Sequence, residues 1–336
     1  MLQEAQVLVK AALILCGVLC CGVPATMLCQ RRFGARLQRR YGPRAAGPRG
    51  VLQPLADLVK LMARQQPGAA NVLAPVLGLV AALMVFAAIP FGENITWAGQ
   101  MHAVQVADPG LLYVLAVLVL FFFAPLWGGW SAGDQRSLLN GVRHAARQLG
   151  YLLCIGLSAV GILLLSGSAS LADIVQAQAR SWGPLPLWNG WLQPLGCVVF
   201  AIAGLCWAGL PPLESDRAAT GFGARYDSAY GGGPLALWQL ADHARLLAVA
   251  CLAVALYGGG WHCPGWAEPG VGGPGADLAK VGIFAAKTAL ALLALLWLRW
   301  SLPGLGHRRG QSLAWKVLLP LSLVNLAAVT WIATLL

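Results

Sequence analysis

An aspartate and a lysine three positions apart, Asp57 and Lys60, share one face of any helix that contains them. In a surface helix such a pair is a solvated ion pair. Lys287 falls inside an apolar run, where a charge is costly and by default marks a functional candidate. Asp242 stands at the start of another apolar run, with His243 next to it as a polar helix-end residue. Nine cysteines lie almost entirely within apolar stretches and form no C-x-x-C pair, so they read as structural filler. His102, His144, His262 and His307 share no metal-ligand spacing. No G-x-x-x-x-G-K-[ST] or G-x-G-x-x-G loop occurs, so nucleotide chemistry is not expected of this chain.

The elements that must position these groups are set by composition. Of 336 residues 58% are apolar and only 10% charged, against about 25% charged in ordinary soluble domains. Lipid is therefore the expected solvent for most of the chain. Eight windows of roughly 20 apolar residues, enough to cross a bilayer as helices, fall at about 6 to 29, 71 to 90, 110 to 128, 149 to 166, 192 to 210, 244 to 260, 281 to 300 and 313 to 335. The expected class is an all-α polytopic membrane protein in one membrane domain, residues 1 to 336. The first window reads as a permanent helix: its leader contains Glu4 and its apolar run outlasts a signal-peptide core.

The net charge of +11, from 23 Lys plus Arg and 12 Asp plus Glu, is unevenly distributed. The loops at about 30 to 70, 129 to 148, 211 to 243 and 301 to 312 hold nearly all the inter-span cations, and the loop at 91 to 109 holds none. The positive-inside bias makes the basic loops cytoplasmic and puts both termini on the other side, periplasmic in a bacterial inner membrane. The cations thus read as topology and not as a nucleic-acid footprint. Within the first loop, Gly42-Pro43 and Gly47-Pro48 mark turns, and Leu52, Leu55, Leu58, Val59 and Met62 then recur at helical spacing. An amphipathic helix lying at the membrane face is predicted there.

Residues Gln30 through Lys60 match without a gap a pattern that includes Gln38, Arg40, Gly42, Pro43, Gly47, Gly50, Leu52, Gln53, Ala56, Asp57 and Lys60. Further matches follow in order: Ala88 to Gly92; Gly129, Trp130 and Ser131 with Leu139, Arg143, Ala145, Ala146 and Gln148; then Asp173, Ile174, Val175, Gln178 and Ala179. Phe200 to Gly204, Gly259 to Trp261 with Pro264, Leu298 and Arg299 with Pro303, and Trp315 and Lys316 with Leu319 to Leu321 and Asn325 complete the set. In these residues the chain resembles the membrane-embedded H subunit family, called subunit 1 in mitochondria, of the proton-pumping NADH-quinone oxidoreductase, respiratory complex I. The resemblance extends over nearly its whole length.

The resemblance implies a translocase subunit that is not catalytic alone. It would wall the chamber through which quinone, the substrate, reaches the last iron-sulfur cluster, and anchor the peripheral arm. It binds no cofactor itself; NADH, FMN and the iron-sulfur clusters belong to partner subunits of the complex. A lipid-soluble quinone needs an apolar passage with a few polar groups at its mouth. Carried over residue by residue, Arg36, Arg40, Gln53, Asp57 and Lys60 are the quinone-site candidates, and Glu214, Tyr226, Tyr230, Asp242, Arg143 and Lys287 the candidates for a coupling or proton path.

At other family carboxylate positions this chain has Gln30, Gln65, Leu152, Arg217, Ala219, Gly221 and Ala229, none of which can serve as a carboxylate relay. Coupling is then either weakened or rerouted through Glu214, Asp216, Asp227 and Asp242, or the subunit serves a divergent complex with another electron donor. Two rival readings remain: the membrane anchor of an energy-converting nickel-iron hydrogenase, built on the same scaffold, and an independent transporter or membrane scaffold.

Overall fold

The computed structural model describes residues 2–64, 71–92, 94–97, 100–103, 110–182, 185–209, 225–263, 274–302 and 307–335. Helix dominates because long apolar segments in lipid must satisfy every backbone N–H and C=O internally. Helices α1 (Leu2–Gly17) and α2 (Val23–Leu37) are joined by a π-helical turn, Val18–Gly22, into one rod. Then come α3 (Gln53–Met62), α4 (Leu73–Ala88), α5 (Gly110–Ser131), α6 (Gln135–Ser166), the short α7 (Leu171–Ala177) and α8 (Asn189–Leu192), and α9 (Pro194–Trp207). The chain closes with α10 (Gly232–Tyr257), α11 (Pro274–Ser301), and α12 (His307–Leu313) running through a second π turn, Ala314–Leu318, into α13 (Leu319–Leu335). Two short antiparallel hairpins, Asn94–Trp97 with Gln100–Ala103 and Ser181–Trp182 with Leu185–Pro186, decorate the connections.

Each of the eight predicted windows falls on a helix. Among the described residues, six helices are long and apolar enough to cross a membrane: Lys10–Leu37, Gly110–Ser131, Gln135–Ser166, Gly232–Tyr257, Leu278–Ser301 and Arg309–Thr334. The other two, α4 and α9, have 16 and 14 residues and are shorter than the windows drawn for them.

The boundaries differ most on the basic face. The expected loop at 129 to 148 is almost all helix: α5 runs to Ser131 and α6 starts at Gln135, capped by the Asp134 carboxylate, which accepts from the Arg136 backbone N–H. Polar residues hide this extension, because hydropathy marks apolar runs and not helices. The two helices meet at Gly129 and Gly141, where a Cβ on Gly129 would lie 2.6 Å from the Ser137 carbonyl oxygen. Similarly, α10 starts at Gly232, a dozen residues before the predicted span.

Helix α10 is the axis of the bundle and packs against α4, α11, α3 and α9. Its apolar window is 78% buried, against 22% to 44% for the other five long helices. Those outer helices leave Leu, Val, Phe and Trp side chains on the outside, the pattern expected where lipid or another subunit covers them.

Candidate functional site: a charged cleft, an apolar cavity and a buried ion cluster

The predicted amphipathic helix is α3. Pro54 and Leu58 are buried, and Leu58 packs with Met27 of α2 and Ala236 of α10, with Leu61 and Leu240 alongside. This contact fixes the polar stripe of α3 against α2. Gln53 Nε2 donates to Asp57 Oδ1 at 2.9 Å, and the Arg31 guanidinium donates to Asp57 Oδ2. Partial burial pushes the Asp57 carboxyl up, but the bonds from Arg31 and Gln53 and the charges of Arg31 and Lys60 outweigh it and hold its pKa below the ordinary value. Asp57 is thus a carboxylate at neutral pH. With Lys60, Leu61, Arg64, Arg31 and Gln239 of α10 it lines a cleft of about 250 Å3.

Of the quinone-site candidates, Asp57 and Lys60 line this cleft, and Gln53 joins them through its bond to Asp57. Arg36 and Arg40 are exposed and lie outside the cleft lining. Sequence reasoning missed Arg31, Arg64 and Gln239. Arg31 and Arg64 belong to the same cation-rich loop, but Gln239 is some 180 residues away in sequence, and only packing brings it here.

One to two turns back along α2, a second space opens. Leu13, Ile14 and Gly17 of α1, Val18, Cys21 and Gly22 of the π turn, and Ala25, Thr26 and Cys29 of α2 form one wall of a cavity of about 570 Å3. Phe86 of α4 and Phe91 just past its end close it on one side, with Leu247 and Cys251 of α10 and Val281, Phe284, Thr288 and Leu292 of α11. Its wall is almost entirely apolar. The π turn contributes directly, since widening the helix there displaces side chains from the regular stripe, and the glycines at positions 17 and 22 leave room beside it.

The second polar assembly joins α10 to the turn that precedes it and is buried throughout. Asp242 accepts from Arg225 Nη2 at 2.8 Å and from Arg245 Nη2 at 2.5 Å. Arg225 Nε is 3.4 Å from Asp227 Oδ1. Arg245 also donates to the Trp207 carbonyl at 3.1 Å and stands 3.9 Å over the Phe121 ring. Charges removed from water this completely require such pairing. An aromatic cage completes it: Trp238 lies edge-on to Tyr226 and Tyr230, at centroid distances of 4.9 and 6.1 Å, and its ring fills the space left at Gly78 and Gly128. The Tyr230 hydroxyl donates to the Gly128 carbonyl at 2.9 Å and shares a hydrogen bond with Ser131 Oγ. Burial raises the phenol pKa of both tyrosines, the bond to Ser131 opposing it at Tyr230.

Among the candidates for a coupling path, Tyr226, Tyr230 and Asp242 therefore come together in one cluster. Arg143 is on α6 with an intermediate exposure, while its neighbour His144 is buried with its ring 4.6 Å from that of Tyr226 and Nδ1 3.3 Å from Arg147 Nη2. The sequence signal for His144 is only its helical spacing. Glu214 and the replaced positions Gln65, Arg217, Ala219 and Gly221 lie outside the described residues. Lys287 is elsewhere: its ammonium donates to the Gly258 carbonyl at 2.8 Å and to that of His262, and sits 4.4 Å from the Trp188 ring centroid. It caps the far end of α10, about 24 Å from Asp242 at 1.5 Å per residue.

Fold and sites together define a polytopic α-helical membrane protein with a charged cleft and an apolar cavity at neighbouring positions. The chain belongs to the NADH dehydrogenase family, whose model matches residues 9–330. It is 37% identical over 309 residues to the NADH-quinone oxidoreductase H subunit of Thermomicrobium roseum, covering 88% of this chain and 87% of that one. It is 36% identical over 305 residues to form 2 of the NADH-quinone oxidoreductase H subunit of Syntrophobacter fumaroxidans, with 88% and 87% covered. The protein of the same name from Rhizobium meliloti is 33% identical over 325 residues, 94% of each chain.

Proposed function

We propose that this chain is a membrane subunit of a proton-translocating NADH-quinone oxidoreductase and forms the bilayer end of its quinone chamber, joining the peripheral redox arm to the membrane arm. The observation that carries the reading is the pair of spaces along α2. An apolar cavity of about 570 Å3 suits an isoprenoid chain, and the cleft beyond Cys29 offers Asp57, Lys60 and Gln53 to a polar head group. Quinone is the substrate; NADH, FMN and the iron-sulfur clusters belong to the partner subunits. The basic face is cytoplasmic, the membrane is the bacterial inner membrane, and both termini are periplasmic.

Coupling in this reading passes through the buried cluster. Asp242 accepts from two arginines, so moving Arg225 away from it breaks a buried, charge-assisted bond. The cluster therefore transmits strain between α10 and the turn at Tyr226–Ala229. Tyr226 and Tyr230 stay protonated and orient it.

The test is kinetic. Ala285 of α11 also lines the cavity, so Ala285→Trp fills it, and Asp57→Asn removes the charge at the cleft. Each is expected to raise the KM for quinone at least fivefold, with NADH oxidation by a water-soluble acceptor serving as the check on assembly. Unchanged quinone kinetics in both variants would overturn the assignment. So would isolation of the tagged chain with a nickel-iron hydrogenase large subunit in place of iron-sulfur NADH dehydrogenase subunits.

A further inference from the structure

Cysteine in an apolar helix is ordinarily a small buried hydrophobe, and two of the cysteines here are not buried. Cys16, in the last turn of α1, and Cys20, in the π turn that follows, are both exposed on the outer surface of the first membrane-crossing rod. Their Sγ atoms are 3.7 Å apart. The C-x-x-x-C spacing that produces this pair escapes a search for C-x-x-C. Neither thiol lines the apolar cavity or the charged cleft, so the pair stands apart from the spaces assigned to quinone.

Two thiols this close can be joined directly or through an inserted atom. A disulfide needs Cβ atoms about 3.5–4.5 Å apart, whereas residues four apart on a helix hold theirs about 5–6 Å apart, so direct bonding would deform the rod. An inserted atom fits better. With bonds of about 2.3 Å, the length of a zinc–thiolate bond, a bent S–X–S bridge spans about 3.3–3.8 Å between sulfurs, which brackets the 3.7 Å found. A structural zinc ion would need two further protein ligands, and among the described residues no group of three or more His, Cys, Asp or Glu side chains could hold a metal ion. The inserted atom must therefore be complete with two thiols, and its product must be uncharged, because the surroundings are apolar.

We propose that Cys16 and Cys20 form a two-thiol site for a monosubstituted trivalent arsenical on the outer side of α1. Such a centre is three-coordinate and bent, brings its own organic group as third ligand and gives a neutral product. In the reaction R–As=O and two thiols yield R–As(S-Cys)2 and one water. Two As–S bonds form, both thiol protons leave with the arsenic-bound oxygen, and arsenic stays trivalent, so no oxidant or reductant is required. An apolar organic group also carries the reagent into the bilayer, where the pair lies.

The test treats the intact detergent-solubilised assembly, isolated through a tag on this chain, with phenylarsine oxide and then with N-ethylmaleimide. Peptide mass spectrometry of this chain is expected to show one phenylarsenic group joining Cys16 to Cys20, with both thiols protected from the maleimide. A dithiol such as 2,3-dimercaptopropanol should release it and an equal concentration of a monothiol should not. Cys16→Ser and Cys20→Ser should each lower retention by at least about tenfold, because a single attachment loses the advantage of the second; both positions are exposed, so the fold tolerates the change. Cys21→Ser should leave retention unchanged. Absence of the adduct, a bridge between Cys20 and Cys21, release by the monothiol, or full retention in Cys16→Ser would each overturn the proposal. Arsenic retention does not depend on quinone turnover, so this site and the quinone reading fail separately.

Discussion

The two ionic assemblies around α10 use the same residue types in opposite settings. Between α2 and α3, Arg31 and Asp57 are 40% and 31% exposed; where α10 meets the turn before it, the side chains of Arg225, Arg245, Asp227 and Asp242 are between 0% and 1% exposed. An exposed pair gains little because water screens it and its side chains lose freedom, typically about 0–1 kcal/mol. A buried set gains or loses much more, since removing one partner strands another charge in a low-dielectric interior. The exposed cleft can therefore change occupants at little cost to the fold, which suits a binding surface. The buried cluster can change only as a unit, which suits transmission.

The largest expected effect is that of Asp242→Ala, which leaves the Arg225 and Arg245 guanidinium groups without their shared anion. It should cost about 3–5 kcal/mol and sharply reduce the amount of chain in the membrane. Asp242→Asn, which keeps an acceptor, should lose less, and wild-type thermal stability of Asp242→Ala in detergent would remove the contrast between the two assemblies. A control comes from Lys287→Met, which keeps length and strands two carbonyls at the far end of α10 without touching either assembly. A loss of about 1–3 kcal/mol is expected, with coupling unaffected; a selective loss of proton transport would place Lys287 in the path after all.

Tyr230→Phe removes the bonds to the Gly128 carbonyl and to Ser131 and should cost about 1 kcal/mol. Its effect should appear in the melting temperature and be insensitive to salt. The smallest effect on stability belongs to Asp57→Asn, no more than about 1 kcal/mol, whatever it does to quinone kinetics. The folded-state pKa of Asp57 is depressed, so its stabilising contribution is present above its unfolded value, about 4, and is lost as pH falls through the folded value. Asp57→Asn should thus remove a small part of the acid limb of the stability curve. High salt should reduce the wild-type contribution at α3 and leave the buried cluster unchanged.

Much of this arrangement is legible from residue patterns. Every apolar window is helical because lipid leaves the backbone no other way to satisfy its hydrogen bonds. The stripe at Leu52, Leu55, Val59 and Met62 announces α3 and sets Asp57 and Lys60 on its polar face. Helix made of polar residues is not legible in this way: Gln135 to Gln148 reads as a loop because its hydropathy is low. Nor is the pairing of charges. Arg225 is one loop cation among several in the sequence, and its bond to Asp242 depends on how the turn at Tyr226–Ala229 folds back on α10.

Hydropathy and charge distribution by themselves determined the class of this protein, the placement of its apolar helices and which loops carry its cations, because transfer to lipid acts on each segment separately. Tertiary packing alone decided which charges are buried with which. It gathered Gln239 with Arg31 and Arg64, moved Lys287 to the opposite end of α10 from Asp242, and set an apolar cavity beside a charged cleft. Those outcomes depend on contacts between helices distant in the chain, and burial, which sets the strength of every ion pair here, is a property of the assembled bundle.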